Sequence, residues 1–327
     1  MKAFIYKRYG GPEVLEMVDL AKPVPAANAL LIRVIATTVS SADWRVRSLE
    51  LPSGFGPLGR IAFGFRGPRQ PILGTELAGE VEAVGSSVTT FKPGDRVFAF
   101  PGSRMGSYVE YRCIPADGPV ATKPANLSDE QAAALCFGGS TMLDFYRRAA
   151  LRRGERVLVN GASGAVGSAA VQLAKHFGAE VTGVCSTTNL ALVRSIGADQ
   201  VIDYTQQDFW RSGDRYDVIV DAAGTAPFSR SGRVLSNGGR LLLVLSGLAD
   251  LMKAPWTGVF GKKKVIAGPA SERVEYVRQL GEIATTGGFT PVVDRCYPFD
   301  EMHAAHRYVD SGRKRGNVVI RIGRDAP

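Results

Sequence analysis

Three glycines, Gly161, Gly164 and Gly167, stand at a spacing of three within VLVNGASGAVGSAAVQLAKHFG, which runs from Val157 to Gly178. The run before them, RVLVN, is short and rich in β-branched residues, as in a buried strand. The run after them carries apolar residues at helical spacing, so the glycines occupy the turn between a strand and a helix. This strand-turn-helix unit is the feature that most restricts the possible folds of the chain, because it requires a helix packed against a sheet.

Short apolar runs continue to alternate with helix-length segments after this unit. The runs are RVLVN, EVTGVC, QVID, YDVIVDA, RLLLVL and KKVIAG. This alternation predicts an α/β fold with a doubly wound parallel sheet. Up to about residue 120 the pattern differs, since strands such as LLIRVIATTV and SYVEYRCI follow one another with turn signals between them, which is typical of an antiparallel barrel or sandwich.

One long connection, from Leu51 to Pro71, interrupts the N-terminal strands. It is rich in glycine and proline, carries three arginines, and could contain a short helical piece. A connection of this length is either a lid over a binding site or a surface excursion.

Composition narrows the class of protein. The chain has 327 residues, 45% of them hydrophobic, which favours two domains. It has no apolar run of about 18 residues and no basic leader with an apolar core, so we expect neither membrane binding nor secretion but a cytoplasmic protein. Its net charge of +9 comes from short scattered basic groups, which indicates solvated faces rather than a nucleic-acid surface. The four cysteines form no C-x-x-C motif, which argues against a disulfide framework or a cysteine-based zinc site.

A glycine turn at the start of a helix lets a pyrophosphate approach backbone N–H groups and the positive end of the helix dipole. The turn therefore predicts dinucleotide binding. The residues expected to contact the dinucleotide are Gly161, Ala162, Ser163, Gly164, Ala165, Val166 and Gly167. Ala223, Leu245 and Ser246 follow later strands, and we expect them at the carboxyl edge of the sheet, where coenzymes lie in such folds.

The choice between NAD and NADP depends on the end of the second strand, where NAD enzymes place an acid on the ribose 2′-hydroxyl. No acid occurs between Val181 and Ala198. Ser186, Thr187 and Asn189 can instead donate hydrogen bonds to a 2′-phosphate. Arg194 and the hydroxyl of Tyr204 are further candidates. The sequence thus favours NADPH, although residues 186–189 could also simply cap the following helix.

The order of these parts resembles a known family. The segments ILGTELAGEVEAVGSSVTTFKPGDRVFAF, GASGAVGSAAVQLAKHFGAEVTGVCS and GADQVIDY, in this order, are similar to the medium-chain dehydrogenase/reductase superfamily, and within it to the zinc-independent quinone oxidoreductase (zeta-crystallin-like) branch. The resemblance covers nearly the whole chain. It implies a Rossmann doubly wound parallel sheet inserted into a GroES-like β-barrel catalytic domain. Residues 1–126 plus 266–327 would form the catalytic domain and 127–265 the NADP-binding domain.

Dimers are common in that family, so the resemblance also implies a homodimer. A candidate contact is RLLLVL followed by SGLADLMKAPWTG. Residues around Trp256 and Phe260, together with the 51–71 connection, would shape the acceptor pocket.

The alcohol dehydrogenases of this superfamily hold a catalytic zinc through a cysteine after an early strand and a histidine in a G-H-E motif. This chain has Ser40 at the first place and Thr75, in Gly74-Thr75-Glu76, at the second. Neither hydroxyl is a competent zinc ligand, so the resemblance implies a site without metal. His303 and His306 could share a helix face as a metal pair, but we expect two ordinary histidines on a surface helix.

Without a metal, NADPH can still reduce an acceptor that is already electron-poor, such as a quinone or an α,β-unsaturated ketone. Relatives in this branch carry V-N-x-x-D-x-Y near the nicotinamide. Here Ser40 replaces the Asn and Arg45 replaces the Tyr, while Asp43 is retained. By position, the candidate catalytic residues are Ser40, Asp43, Arg45 and Thr75. Trp44 would lie beside them or in the core.

Three further positions follow from the resemblance. Thr141 would lie over the nicotinamide, unless it caps a helix. Glu76 would line the place of the missing zinc, or would be a buried acid paired with a basic residue. Asn317 stands where relatives often have a basic residue, and would reach the coenzyme only by hydrogen bonding.

The sequence therefore predicts an NADPH-dependent, zinc-independent reductase of quinones or activated alkenes. A second hypothesis is an NADPH-binding protein that senses redox state or binds a partner with little turnover. A third, weaker one is a metal-dependent alcohol dehydrogenase.

Overall fold

The computed structural model describes residues 1–252, 254 and 262–323. The chain forms two compact units: unit 1 comprises residues 1–51, 56–137 and 272–327, and unit 2 comprises residues 52–55 and 138–271. The chain passes from unit 1 to unit 2 after Phe137 and returns to unit 1 after Ser271. Positions 126 and 265, given above as domain boundaries, stay a prediction.

The strands are, in chain order, β1 (Lys2–Tyr6), β2 (Leu15–Asp19), β3 (Ala29–Val39), β4 (Leu77–Val84), β5 (Arg96–Ala99), β6 (Tyr111–Pro115), β7 (Val120–Thr122), β8 (Arg156–Asn160), β9 (Glu180–Cys185), β10 (Gln200–Asp203), β11 (Tyr216–Asp221), β12 (Leu235–Leu243), β13 (Lys264–Ala267), β14 (Val293–Pro298) and β15 (Asn317–Arg321). The numbered α-helices are α1 (Ser41–Ser48), α2 (Gly56–Phe63), α3 (Asp129–Ala133), α4 (Cys136–Ala149), α5 (Ala165–His176), α6 (Leu190–Ser195), α7 (Phe228–Ser231), α8 (Val274–Thr285) and α9 (Met302–Asp310). No helix in the described part of the chain is both long and apolar enough to cross a bilayer.

Unit 2 contains a six-stranded sheet in the order β10-β9-β8-β11-β12-β13, with every neighbouring pair parallel. Its first strand, β8, is central, and the order corresponds to the 3-2-1-4-5-6 arrangement of dinucleotide-binding sheets. Val157, Leu158 and Val159 of β8 are fully buried, as expected where both faces of a parallel sheet are covered. The predicted doubly wound α/β sheet is confirmed.

Unit 1 is built around the long strand β3. Along one edge β3 pairs with β4; along the other its first half pairs with β6 and its second half with β15, all antiparallel. The sheet continues through β5 and β7 on one side and through β14 on the other, and β1 and β2 form a separate antiparallel pair. Because Val39 ends β3 beside β15, the chain that follows begins at the centre of the sheet.

Helix α9 lies between β14 and β15 and packs onto the core of unit 1. Met302, Ala305 and Val309 are its buried apolar residues, and His306 lies on the same face with no exposed surface. The prediction that both histidines belong to a surface helix is therefore wrong for His306. The cause is the helical period, which puts position 306 on the buried stripe.

The connection after Leu51 contains α2. Its glycines and proline make α2 a weak helix, and Leu58, Ile61 and Phe65 have more than a third of their surface exposed. The lid and the surface excursion both stay predictions for this connection.

Candidate functional site

The glycine turn of unit 2 connects β8 to α5, as predicted. Gly161 has a φ of +80°, a conformation that favours glycine. A Cβ at Gly167 would lie 2.0 Å from the carbonyl oxygen of Gly161, so this position has no room for a side chain. At Gly164 the nearest atom to a Cβ would be that same carbonyl oxygen, at 3.6 Å. The space beside Gly164 is open within the described part of unit 2.

Gly164 is also the N-cap of α5, and no side chain of the described residues caps this helix. The N–H groups of the first helical turn therefore keep their donors for an outside partner. With the positive end of the helix dipole behind them, they suit a doubly charged pyrophosphate.

Polar side chains tie this turn to the end of β9. The Asn189 amide donates to Ser163 Oγ at 3.1 Å and to Ser186 Oγ at 3.2 Å. Asn189 Oδ1 is buried and has no hydrogen-bond partner among the described residues. Both serines accept from the amide. Ser163 therefore keeps its hydroxyl proton for another acceptor, whereas the Ser186 hydroxyl also lies 3.3 Å from that of Thr188, and either oxygen of that pair could be the donor. The structure thus brings Ser163, Ser186 and Asn189 together.

Thr187 has a different partner. Its hydroxyl donates to Asp203 Oδ2 at 2.5 Å, and Thr205 donates to Asp203 Oδ1 through its hydroxyl at 2.7 Å and its backbone N–H at 2.9 Å. These bonds lower the pKa of Asp203, with the Thr187 bond contributing most. A threonine has one hydroxyl proton, so Thr187 in this arrangement has none for a phosphate. The role of Thr187 as a phosphate donor stays a prediction.

Asp203 is a residue that the sequence reasoning missed. It ends β10 and pairs in parallel register with Cys185, the last residue of β9. The predicted preference for NADPH rests on the end of β9 alone. The signal was present in the quoted segment GADQVIDY, where a strand one position further along the sheet also ends in an acid.

A second missed acid shapes the loop after β11. Asp221 is buried, and its carboxylate accepts from the side chain of Asn160 and from the backbone N–H groups of residues 223–226. This ring of bonds fixes the loop that contains Ala223. Leu245 and Ser246 follow β12 at the same edge of the sheet, and Tyr204, next to Asp203, is 60% exposed. Thr141 lies within α4 rather than at its cap.

In unit 1, Ser40 and Asp43 form a capping box at the start of α1. The Asp43 carboxylate accepts from the Ser40 N–H at 2.8 Å and the Ser40 hydroxyl at 2.6 Å, and its other oxygen accepts from the Gly74 N–H at 2.8 Å. Asp43 has no exposed surface, and burial raises its pKa although the hydrogen bonds oppose the shift. Asp43 therefore joins α1 to the segment that carries Thr75.

Thr75 is buried, and its hydroxyl has no hydrogen-bond partner among the described residues. Gly74 before it has a φ of +96°, and a Cβ there would lie 2.7 Å from the ring of Tyr108. The backbone at Gly74 is therefore fixed on both sides, by Asp43 and by Tyr108. A buried hydroxyl without a partner on a rigid segment is a candidate ligand contact.

Glu76 is almost fully buried. Its carboxylate accepts from the Thr38 hydroxyl at 2.6 Å and from the N–H groups of Cys136 and Phe137, at 3.0 and 2.7 Å, where α4 begins. Burial raises its pKa to about 7, against the lowering effect of these bonds. No ion pair of Glu76 is found in the described part of the chain, so its hydrogen-bond partners are neutral groups. Burial lowers the pKa of Lys314 to about 8, while the charges of Asp294 and Glu76 oppose this shift.

The remaining candidates of unit 1 have partners within the unit. Arg45 donates to the Glu50 carbonyl at 3.1 Å and lies over the Trp44 ring. The Asn317 amide donates to the Val292 carbonyl at 3.0 Å and is buried. Contacts of these side chains with a ligand stay predictions. Trp256 and Phe260 lie outside the described residues.

The histidine pair is divided between two environments. The ring of His303 contacts the Leu15 carbonyl oxygen at 2.9 Å, and His306 packs edge-on against Tyr108. Burial lowers the pKa of His306 well below its usual value. No group of three or more metal-ligating side chains occurs among residues 1–252, 254 and 262–323.

Two family models match the chain. Residues 26–125 match the alcohol dehydrogenase GroES-like domain, and residues 196–320 match the zinc-binding dehydrogenase family. The second match contains neither Ser40 nor Thr75, so its description says nothing about the residues at the zinc positions.

Relatives match along almost the whole chain. A 2-methylene-furan-3-one reductase from Solanum lycopersicum is 33% identical over 98% of this chain and 79% of its own length. An NADPH-dependent alkenal/one oxidoreductase from Arabidopsis thaliana is 31% identical with the same coverage. The crystal structure of Escherichia coli quinone oxidoreductase complexed with NADPH has a TM-score of 0.80 at 26% identity, covering 98% of this chain and all of the other. The chain belongs to the medium-chain dehydrogenase/reductase superfamily, in its zinc-independent quinone oxidoreductase branch.

Proposed function

We propose that this chain is an NADPH-dependent, zinc-independent oxidoreductase that reduces quinones or activated alkenes such as α,β-unsaturated ketones. The observation that carries the proposal is the glycine turn of unit 2, with the uncapped N-terminus of α5 behind it. The names of the relatives agree with it: one reduces a methylene furanone, one is NADPH-dependent, and a solved quinone oxidoreductase holds NADPH.

The residues of the turn, from Gly161 to Gly167, bind the pyrophosphate through backbone N–H groups. Ser163 donates to the phosphate on the adenosine side, since it accepts from Asn189 and keeps its own proton. Ser186 accepts from Asn189 as well and donates to the same phosphate when Thr188 is the donor in their mutual hydrogen bond. Tyr204, Ala223, Leu245 and Ser246 lie along the same sheet edge, and Thr141 completes the proposed coenzyme contacts of unit 2. Contact of Asn317 with the coenzyme stays a prediction from the sequence. Bound NADPH supplies the hydride.

Thr75 is the proposed hydrogen-bond donor to the acceptor. Adding a hydride to a quinone or an enone leaves negative charge on the carbonyl oxygen, and a fixed donor in a buried site stabilises that charge. The Thr75 hydroxyl is buried and has no described partner. At the position where zinc enzymes of the superfamily hold a histidine, it would polarise the acceptor in place of a metal.

Ser40 and Asp43 are proposed to act as positioning residues. Their hydrogen bonds are made within the cap of α1 and to Gly74, so they hold the Thr75 segment in place. Arg45 is proposed to contact the acceptor, because its guanidinium follows the same cap and bonds only a backbone carbonyl among the described residues.

The experiment is a spectrophotometric assay of NADPH oxidation with the purified chain. Quinones and enones should be reduced, whereas simple aldehydes should not. In the variant Gly164→Ala, the new Cβ meets no atom closer than 3.6 Å, so the fold should be retained. The methyl group would occupy the space of the pyrophosphate, so NADPH binding should weaken by at least about tenfold. Thermal unfolding of the variant serves as the control for folding.

Two results would contradict the proposal. Tight NADPH binding without reduction of any acceptor would favour a coenzyme-binding sensor, and unchanged NADPH binding by the Gly164→Ala variant would place the coenzyme elsewhere. Zinc-dependent oxidation of simple alcohols would support the alcohol dehydrogenase alternative.

The homodimer and the cytoplasmic location stay proposals from the sequence. Sedimentation of the purified chain and fractionation of the cells that produce it would test them.

A further inference from the structure

The carboxylate of Asp203 lies at the sheet edge where the adenosine ribose is expected. Parallel strands that end in register bring their last residues to the same level, and Asp203 is the register partner of Cys185 at the end of β9. Its main-chain neighbour Tyr204 donates its N–H to the Cys185 carbonyl at 3.1 Å. An acid from β10 thus reaches the edge at which NAD-binding folds use an acid from the preceding strand.

The hydrogen bonds of Asp203 keep this carboxylate charged and oriented. Three donors hold it: the hydroxyls of Thr187 and Thr205 and the backbone N–H of Thr205. Within the described part of the chain it forms no ion pair, so its charge is not neutralised. These three donors point at Asp203 and leave Thr187 only lone pairs to offer a ligand.

Two kinds of group therefore meet at this edge. Ser163 has a hydroxyl proton to donate to a phosphate, and so does Ser186 when it accepts from Thr188. The Asp203 carboxylate repels a phosphate, and its oxygens and that of Thr187 accept from a ribose hydroxyl. Donors alone would favour a 2′-phosphate strongly; donors beside a carboxylate favour neither coenzyme strongly.

We propose that Asp203 is a specificity-determining residue that weakens the preference for a 2′-phosphate, so that the chain accepts NADH as well as NADPH. The inference rests on the proposed function, because it concerns the coenzyme site of the same reaction. It adds that a residue at the end of β10 influences the relative affinity for NADPH and NADH.

The test compares binding of 2′,5′-ADP and 5′-AMP by isothermal titration calorimetry, followed by kcat/KM with NADPH and NADH. The wild-type chain should bind the two nucleotides with affinities within about tenfold of each other. Asp203→Asn should tighten 2′,5′-ADP by about tenfold, because a like charge is removed, and should not tighten 5′-AMP. The gain should shrink at high salt, since exposed charges are screened.

The matched control is Asp199→Asn, which removes the same charge at the opposite end of β10. Asp199 accepts from Lys175 and from the Val181 N–H, away from the ribose edge. It should leave the ratio of the two affinities unchanged. Asp203→Ser is a second variant, because a serine can still accept the Thr205 N–H if asparagine disturbs the turn.

Equal changes for both nucleotides in the two Asp203 variants, or the same shift in Asp199→Asn, would overturn the role of Asp203 while leaving the coenzyme site in place. Failure of the wild-type chain to bind either nucleotide would instead overturn the proposed coenzyme site itself.

Discussion

Replacing Glu76 with glutamine would remove a buried carboxyl group while keeping its shape. In the folded chain burial raises the pKa of Glu76 from 4.5 to about 7. A raised folded-state pKa means that the folded chain holds this proton more tightly than the unfolded chain. The stabilisation is therefore complete below pH 4.5, and it is lost as the pH rises through 7.

The magnitude follows from the shift. At about 1.36 kcal/mol per pKa unit, a rise from 4.5 to about 7 corresponds to about 3 kcal/mol over the full range, of which about 2.5 kcal/mol falls between pH 5 and pH 8. Because glutamine does not titrate, the free energy of unfolding of Glu76→Gln relative to the wild type should increase by that amount between these pH values.

The assay is equilibrium urea unfolding of both proteins at pH 5, 6, 7 and 8. Glu16→Gln is the control, since Glu16 forms an exposed pair with Lys7 and its replacement should change the free energy of unfolding by less than about 1 kcal/mol. Infrared spectroscopy adds a direct measurement: a protonated carboxyl band near neutral pH should be present in the wild type and absent in Glu76→Gln. A difference in unfolding free energy that stays flat from pH 5 to pH 8 would refute the argument.

Two further substitutions test the site and its support. Thr75→Val removes the hydroxyl at nearly constant volume and should lower kcat with quinones by about 10²-fold, while Thr75→Ser should retain most of the activity. Equal activity in both variants would rule out Thr75 as the donor to the acceptor. Asp310→Asn should destabilise the chain by about 3 kcal/mol, because it leaves the buried Arg47 guanidinium without the carboxylate that it contacts at 2.6 Å. Arg47→Met should lower the free energy of unfolding by less, and urea unfolding that ranks the two variants in the opposite order would contradict this.

The sequence alone was sufficient for the fold and for the position of the glycine turn within it. The glycine turn lies between β8 and α5, and the alternating apolar runs form the parallel sheet, because strand and helix periods and glycine conformations are local properties. The absence of histidine and cysteine at the zinc positions could also be read directly, since it depends only on residue type.

Only the tertiary structure decided how distant residues meet. Asp43 reaches Gly74, 31 residues away, and Glu76 reaches the first residues of α4, 60 positions away. His306 is buried because α9 turns that face to the core, and Asp203 joins the end of β9 because two parallel strands end in register. The local sequence pattern does not determine strand register or long-range packing, because both depend on the cooperative formation of the whole core. For that reason the sequence indicated a phosphate site at the end of β9, and the structure added an acid beside it.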